Sequence, residues 1–570
     1  MLVSKYIVKF FKSKKIKKFF VFQGGAIMNI IHQIGSDKSL KYLVPHHEQS
    51  LSMQVDTAAR LNGYGVGMVT SGPGATNILT GVCSAYYDSV PCFFITGQVG
   101  QIHIKKNSNY RQLGFQETDV VSIFKSVTKY AKQIQNKNQI KYELEKAYQI
   151  SLEGRPGPVL LDIPFNIQNQ NIEIKKNNKT LPYSSFLKDY KSDKYIKKII
   201  EKITKYSKKS KKVLFLIGGG IKNSKKEKDI IEFLEKNKLP FVLTWTSFDT
   251  VSKENRYYLG CIGKNGHRSA NNACAEADLI ITLGQRFAVK NIFGNFAKKA
   301  KIIAVDLDKQ EIKSNILDIK LGINLDLDTF YKKILKKIKF SYNIEWIEKV
   351  FRDKKSLFDI NVVSNKSNYE NLVNPFIFFN RISSLINKNY ILHCDIGAHE
   401  TWFFQSFYQK KGQKIINHCG HGAMGHSICS AISANFLNKK TKNIAFIGDG
   451  GFMMNLQELN LINHTNKNIK IVVLNNSSLG NTFLGSLNRF KKTFGSEKKF
   501  GYHYPDIKSL TRGFKLKYYS IKNNKQINDT FKEFINFKKS AILDVKISKF
   551  QPTAELHTIN SDKKEINVDR

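Results

Sequence analysis

The feature that most constrains this chain is a recurring unit: a short apolar run, then Gly, Asp or Asn, then a segment with helical periodicity. Examples are "KKVLFLIGGG", "ADLIITLGQRF", "AKIIAVDLD", "NIAFIGDGGF" and "IKIVVLNN". Runs this apolar must be buried on both faces, as parallel strands are when helices cover them above and below. The pattern predicts an α/β fold of doubly wound parallel sheets, whose ligands gather beyond the carboxyl ends of the strands. The glycine-rich turns are therefore where function should be sought.

Two polar stretches with little apolar periodicity, about 166–194 and about 341–374, read as linkers. They predict an N-terminal domain over 1–170, a central Rossmann-like domain over 190–340, a C-terminal domain over 371–550 and a tail over 551–570. With 570 residues in all, each block is long enough to bury its own core. In "MLVSKYIVKFFKSKKIKKFFVFQGG" lysines interrupt the apolar residues, so the continuous core of a signal peptide is missing. The stretch reads instead as an amphipathic helix leading into a strand at 19–22. No apolar run is long enough to span a bilayer, so a cytoplasmic protein with no membrane partner is expected.

The formal charge of +45 raises nucleic acid as a partner. The excess, however, is lysine scattered along the whole chain, and no nucleic-acid-binding motif accompanies it. Lysines that cover surface need no partner, and no nucleic acid is expected. The rival reading is a basic binding protein that keeps only the shell of an enzyme fold. It predicts affinity for nucleic acid that falls steeply with salt, and no cofactor uptake. Seven cysteines without a CxxC pair fit a reducing compartment.

The segment from Gly448 to Gly480 carries the chemistry. "NIAFIGDGG" reads as a strand ending at Gly448, with Asp449 emerging at its carboxyl end and Gly450 and Gly451 leaving room for a bulky anion. "FMMNLQELNLINHT" reads as one helix with its amino end at the same spot, and "IKIVVLNN" as the next strand. Asp449 precedes Asn476 by 27 positions, about one helix plus one strand, so the two side chains can meet at neighbouring strand ends. With the backbone carbonyl of Ser478 they form a hard oxygen set suited to Mg2+ holding a diphosphate.

"GDG", this spacing, and then "NN" resemble the diphosphate–metal signature of thiamine diphosphate enzymes. "FQGGAI", "HHEQ", "TSGPGATN", "DSVP", "ITGQV" and "FQETD" follow in the order of the acetolactate synthase large-subunit family. The resemblance runs from Ile7 to about Val545. It implies a pyrimidine-binding first domain, a diphosphate-binding last domain, thiamine diphosphate and Mg2+ as cofactors, and a 2-keto acid such as pyruvate as substrate. It further implies a homodimer or homotetramer with active sites at the subunit interface. Glu48 matches the glutamate that shares a proton with the pyrimidine. Gly24, Gly25, Pro73 and Asn77 match cofactor-contacting positions, as do Gly422 and Met424 of "GHGAMGHS", the methionine being the residue that bends the cofactor. Phe115 and Gln116 match residues facing the reacting carbon, and Lys290 aligns with an arginine that holds the acceptor carboxylate.

The chain also departs from that pattern. Asn481, Thr482 and Gly485 stand where the family carries Met, Val and a Trp that selects the acceptor. Lysine at 290 keeps the charge but loses the bidentate fork. Both changes predict an altered or larger acceptor, and leave a plain decarboxylase or a carbon–carbon lyase as alternatives. "IGGG" at Gly218–Gly220 and "VDLD" follow the family's flavin-binding pattern, with Lys264 and Asn265 in place of Met-His and Ala288 in place of an aspartate. A bound FAD would be structural, because the reaction requires no net redox change.

Overall fold

The computed structural model describes residues 1–105, 109, 111–173, 192–288, 291–292, 296–313, 316–357, 371–464 and 468–553. Three sheets of six strands each organise them, and every strand pair is parallel. The first holds β1 (Lys18–Val21), β2 (Lys41–Leu43), β3 (Gly65–Val69), β4 (Cys92–Gln98), β5 (Tyr130–Gln133) and β6 (Val159–Pro164), in the order β2-β1-β3-β4-β6-β5. The second holds β7 (Val213–Ile217), β8 (Phe241–Leu243), β9 (Tyr258–Cys261), β10 (Leu279–Leu283), β11 (Lys301–Asp306) and β12 (Ile319–Asn324), in the order β12-β11-β10-β7-β8-β9. The third holds β13 (Tyr390–Cys394), β14 (Ile415–Ile416), β15 (Lys442–Gly448), β16 (Ile469–Asn475), β17 (Lys517–Ile521) and β18 (Ala541–Lys546), in the order β14-β13-β15-β16-β18-β17. Counted from its own first strand, the third sheet repeats the order of the first. The second has the order of dinucleotide-binding sheets.

The apolar strands bury both faces, as their composition requires. On β7, Val213, Phe215 and Ile217 enter one core while Leu214 and Leu216 enter another, because successive side chains point to opposite sides. On β15, Ile444 and Phe446 join a core shared with the central domain, whereas Ala445 and Ile447 join one shared with the N-terminal domain. The C-terminal sheet is therefore packed between the other two domains. Helix Glu48–Asn62 lies against helix His426–Leu437, where Ser433 Oγ donates to the Gln54 carbonyl at 2.7 Å.

The amino-terminal stretch forms helix Val3–Ser13 and then β1, which starts one residue before the expected strand. Two expectations need correction. The second linker contains a helix, Ile344–Leu357, whose Trp346, Ile347 and Val350 are buried in the central domain. Trp346 Nε1 donates to Glu276 Oε2 at 3.1 Å, an anchor hidden in the sequence by the surrounding charges. The segment after "GDG" is not one helix but two, Asp449–Met454 and Glu458–His464. Asn455 breaks it: buried, it leaves helical geometry, and its Nδ2 donates to the Gly425 carbonyl at 3.0 Å.

None of the seven cysteines, all among the described residues, forms a disulfide, and six are buried. Among the described residues no helix is long and apolar enough to cross a membrane.

Candidate active site

In the two sheets that share one order, the chain reverses direction across the sheet between the first and third strands, β1/β3 and β13/β15. Crevices for ligands form at such points.

At the C-terminal crevice Asp395 follows β13, Asp449 follows β15 and Asn476 follows β16. Gly448 lies opposite Leu474 in the β15–β16 ladder, so Asp449 and Asn476 leave neighbouring strands at nearly the same level. Asp449 is buried, and its Oδ1 accepts the Gly450 N–H at 2.8 Å while Oδ2 has no hydrogen-bond partner. Burial pushes this carboxyl up to about 7, although the amides of Gly450, Ser477 and Ser478 favour the charged form. A desolvated acid of this kind is satisfied either by a proton or by a cation. Ser478 Oγ is likewise buried without a partner, and Asn476 is buried beside them. Gly480 permits this: a Cβ there would stand 2.5 Å from Asn476 Nδ2.

Around this cluster the backbone is bare. A Cβ at Gly450 would stand 2.9 Å from both Tyr502 Oη and Leu479 Cδ2, and one at Gly448 would stand 3.4 Å from His399 Nδ1. Gly451 packs against Ile447. Asp395 ties the next loop to the site, with Oδ1 accepting the Gly425 N–H at 2.9 Å and Oδ2 accepting the Ser427 N–H at 2.8 Å. Burial nonetheless pushes Asp395 up to about 6. The half-buried Met424 is presented just before Gly425, and at Gly422 (φ +72°) the space a Cβ would occupy is open.

The N-terminal crevice gathers a second group. Glu48 opens its helix after His47, whose Nδ1 accepts the Gln49 N–H as a cap. Glu48 is buried, and its Oε2 accepts from Asn77 Nδ2 at 3.0 Å. Asn77 ends the short helix that begins at the exposed Pro73, beyond β3. Gly24 presses on Thr70, where a Cβ would stand 2.5 Å from Thr70 Cβ, whereas the corresponding position at Gly25 faces open space. Gln116 lies over Gly72, its Cβ 2.9 Å from where a Cβ on that glycine would be.

Not every expected residue joins these groups. Phe115 is 85% exposed. Lys290 lies outside the described residues. Among the described residues no hydrogen bond links Glu48 or Asn77 to Asp449 or Asn476. Four further residues were not singled out in the sequence. Asp395 and His399 flank the crevice, and burial pushes His399 down to about 3. Tyr502 is pushed up to about 12, by burial and then by the charge of Asp449. Glu458 Oε1 accepts the His46 N–H at 2.9 Å, joining the N-terminal and C-terminal domains within one chain. Only Asp395 had a legible signal, since "YILHCDIG" repeats the strand–Asp–Gly pattern of "NIAFIGDGG".

In the central domain a cavity of about 1700 Å3 opens beside Gly219, Thr246, Gln285 and Asp306, and reaches Arg155 and Gly420 of the other domains. Gly220 packs on Gly284, where a Cβ on the former would stand 2.8 Å from the Cα of the latter. The glycine triplet is thus explained by two loops in close contact and gives no separate argument for a flavin.

Comparison with known proteins agrees with this arrangement. Residues 1–123 match the thiamine pyrophosphate enzyme N-terminal TPP binding domain, 200–334 the central domain of the same enzymes and 395–545 their C-terminal TPP binding domain. The chain is 31% identical to the acetolactate synthase large subunit of Lactococcus lactis over 556 residues, covering 96% of this chain and 92% of that one. It is 28% identical to the acetolactate synthase isozyme 1 large subunit of Escherichia coli over 552 residues, covering 95% and 93%. It is 29% identical to the probable acetolactate synthase large subunit of Methanococcus aeolicus, covering 99% and 94%.

Proposed function

The chain belongs to the acetolactate synthase large-subunit family of thiamine pyrophosphate enzymes, and on that premise we propose that it decarboxylates a 2-keto acid, pyruvate foremost, and joins the remaining acyl unit to an acceptor. Bound thiamine diphosphate supplies the electron sink that makes loss of carbon dioxide possible. Asp449, Asn476 and the Ser478 carbonyl would hold Mg2+, and the diphosphate would lie against them at the carboxyl end of β15, where Gly448, Gly450 and Gly451 keep the backbone close to its neighbours. The observation that carries this reading is the partnerless Oδ2 of Asp449, buried beside Asn476 and the equally partnerless Ser478 Oγ.

Glu48, held by Asn77, would hold the proton shared with the pyrimidine of the bound cofactor, and Gly24, Gly25 and Pro73 would border that ring. Gly422 and Met424, on the loop that Asp395 fixes, support the cofactor from the other lobe. A homodimer brings Glu48 of one protomer to Asp449 of its partner. The same contact would cover Phe115, which with Gln116 would face the substrate. Lys290 holds the acceptor carboxylate.

One observation favours a larger acceptor, such as a keto-sugar. Asn481, Thr482 and Gly485 are exposed on helix Gly480–Phe490, and nothing lies within 4 Å of a Cβ at Gly485. The experiment is calorimetric titration with thiamine diphosphate and Mg2+, followed by mass-spectrometric analysis of products from pyruvate with a panel of keto acids and keto-sugars. A branched hydroxy-keto product supports the proposal. An aldehyde alone makes the protein a decarboxylase, and no cofactor uptake overturns the reading.

A further inference from the structure

We propose that Asp56, His418 and His426 form a buried site for a divalent transition cation, zinc foremost, that staples the N-terminal domain to the C-terminal domain. Asp56 lies on helix Glu48–Asn62, His418 just beyond β14, and His426 begins helix His426–Leu437. All three are buried to within about 1%. Asp56 Oδ1 is 3.2 Å from His418 Nδ1 and 3.8 Å from His426 Nε2, and the three ligand atoms lie within 4.8 Å of one another. Around a tetrahedral zinc with bonds of about 2.0–2.2 Å, donor atoms stand roughly 3.3–3.5 Å apart. The two spacings from Asp56 Oδ1, 3.2 and 3.8 Å, lie on either side of that range.

The second observation is a deficit. Nδ1 of His418 faces Asp56, but its Nε2 and both ring nitrogens of His426 have no hydrogen-bond partner, although both rings are buried. Buried polar atoms are nearly always satisfied, and each exception needs a cause. The rings face each other with centroids 3.2 Å apart at 18°. Parallel rings direct their lone pairs side by side, so one ring turns about its Cβ–Cγ bond to converge on the ion. Burial pushes both histidines below their usual range, leaving them neutral and able to donate lone pairs. The nearby His393 is already engaged, Nδ1 with Ser430 and Nε2 with Asn443, and is not a ligand.

The charges around the cluster also suit a cation. Arg60 Nε donates to Asp56 Oδ1 at 2.6 Å, and its Nη2 to Asp88 Oδ2 at 2.8 Å. Two carboxylates against one guanidinium leave a net negative charge beside two neutral imidazoles. The second lone pair on Oδ1 remains for the metal, and water completes the tetrahedron. His426 is two residues beyond Met424, so the ion would fix the loop that presents Gly422 and Met424 from below, independently of Asp395.

The test is elemental analysis of full-length protein purified without chelator, alongside the Asp449→Ala variant. About one equivalent of zinc per chain in both is expected, since this site is separate from the magnesium cluster. Replacing zinc by Co2+ should give the visible absorption of a four-coordinate N/O site, abolished in His418→Gln/His426→Gln. Removing zinc should lower Tm by about 5 °C or more, restored by Zn2+ and not by Mg2+. Should the double variant not fold, the wild-type cobalt spectrum decides alone. Less than about a tenth of an equivalent of zinc, with a cobalt spectrum like that of the aquo ion and an unchanged Tm, overturns the proposal. Such a result leaves the reading of the Asp449 site untouched.

Discussion

Asn77 Nδ2 donates a 3.0 Å hydrogen bond to Oε2 of Glu48, so a buried carboxylate is held by a side chain from a different crossover of the same sheet. The bond occupies one oxygen and leaves the other for the proton exchange proposed above. Glu48→Gln keeps the shape but removes the exchangeable proton. We expect keto-acid decarboxylation to fall by on the order of 100-fold or more, with Tm and thiamine diphosphate binding little changed. Steady-state carbon dioxide release against calorimetric binding checks the split, and retention of full activity would refute the assigned role.

The two glycines before helix Met28–Ser36 should respond oppositely to a methyl group. Gly24→Ala drives its Cβ into Thr70 and should cost about 1–3 kcal/mol of stability. Gly25→Ala meets nothing within the protein, so its Tm should barely move. If Gly25 borders the pyrimidine, thiamine diphosphate affinity should nevertheless weaken about tenfold, some 1.4 kcal/mol. Thermal melts of the cofactor-free variants, then titration, separate the two effects.

Glu458 provides the pH dependence. Burial pushes it up to about 7 from its ordinary 4.5, while its Oε1 accepts the His46 amide. Between these values the folded chain keeps a proton that the unfolded chain has released, so stability falls as pH rises through that window. Glu458→Gln cannot ionise. The Tm of the wild type should therefore drop relative to the variant from about pH 4.5 to about pH 7 and run parallel above it. Parallel curves throughout would show that this acid is ionised in the folded state.

Phe115, 85% exposed, is proposed to lie against the partner in the homodimer. Phe115→Asp should shift the sedimentation coefficient towards the monomer and abolish turnover, with little loss of Tm. A fully active dimeric variant would remove Phe115 from the interface.

Gly485 has no neighbour within 4 Å of its Cβ position. Gly485→Trp should rebuild a wall on the acceptor side. Products should then shift from large acceptors towards small keto acids in competition assays, and an unchanged product distribution would place the acceptor elsewhere.

How much of this was legible in the sequence depended on locality. Asp449 and Asn476 could be paired because each follows an unbroken apolar strand, and strand ends are predictable neighbours in a parallel sheet. Glu48 and Asn77 were chosen by motif, and their contact emerged only when β1, β2 and β3 lay side by side. The helix Ile344–Leu357 was missed because its three buried residues sit among charges whose aliphatic stems reach solvent. Asn455 hid a helix break, since a side chain bonding to a distant carbonyl leaves no periodic trace.

By itself the sequence determined what depends on local spacing: three doubly wound sheets, the glycine turns at their carboxyl edges, and the acid and amide that follow two of them. Tertiary structure alone decided that the first and third sheets share one strand order and that His399 and Tyr502 stand beside Gly448 and Gly450 in the C-terminal crevice. It also decided that Asp56, His418 and His426 meet inside the domain junction. The physical reason is range. Strand and turn formation are governed by neighbours along the chain, whereas a buried polar cluster exists only where packing has expelled water from residues hundreds of positions apart.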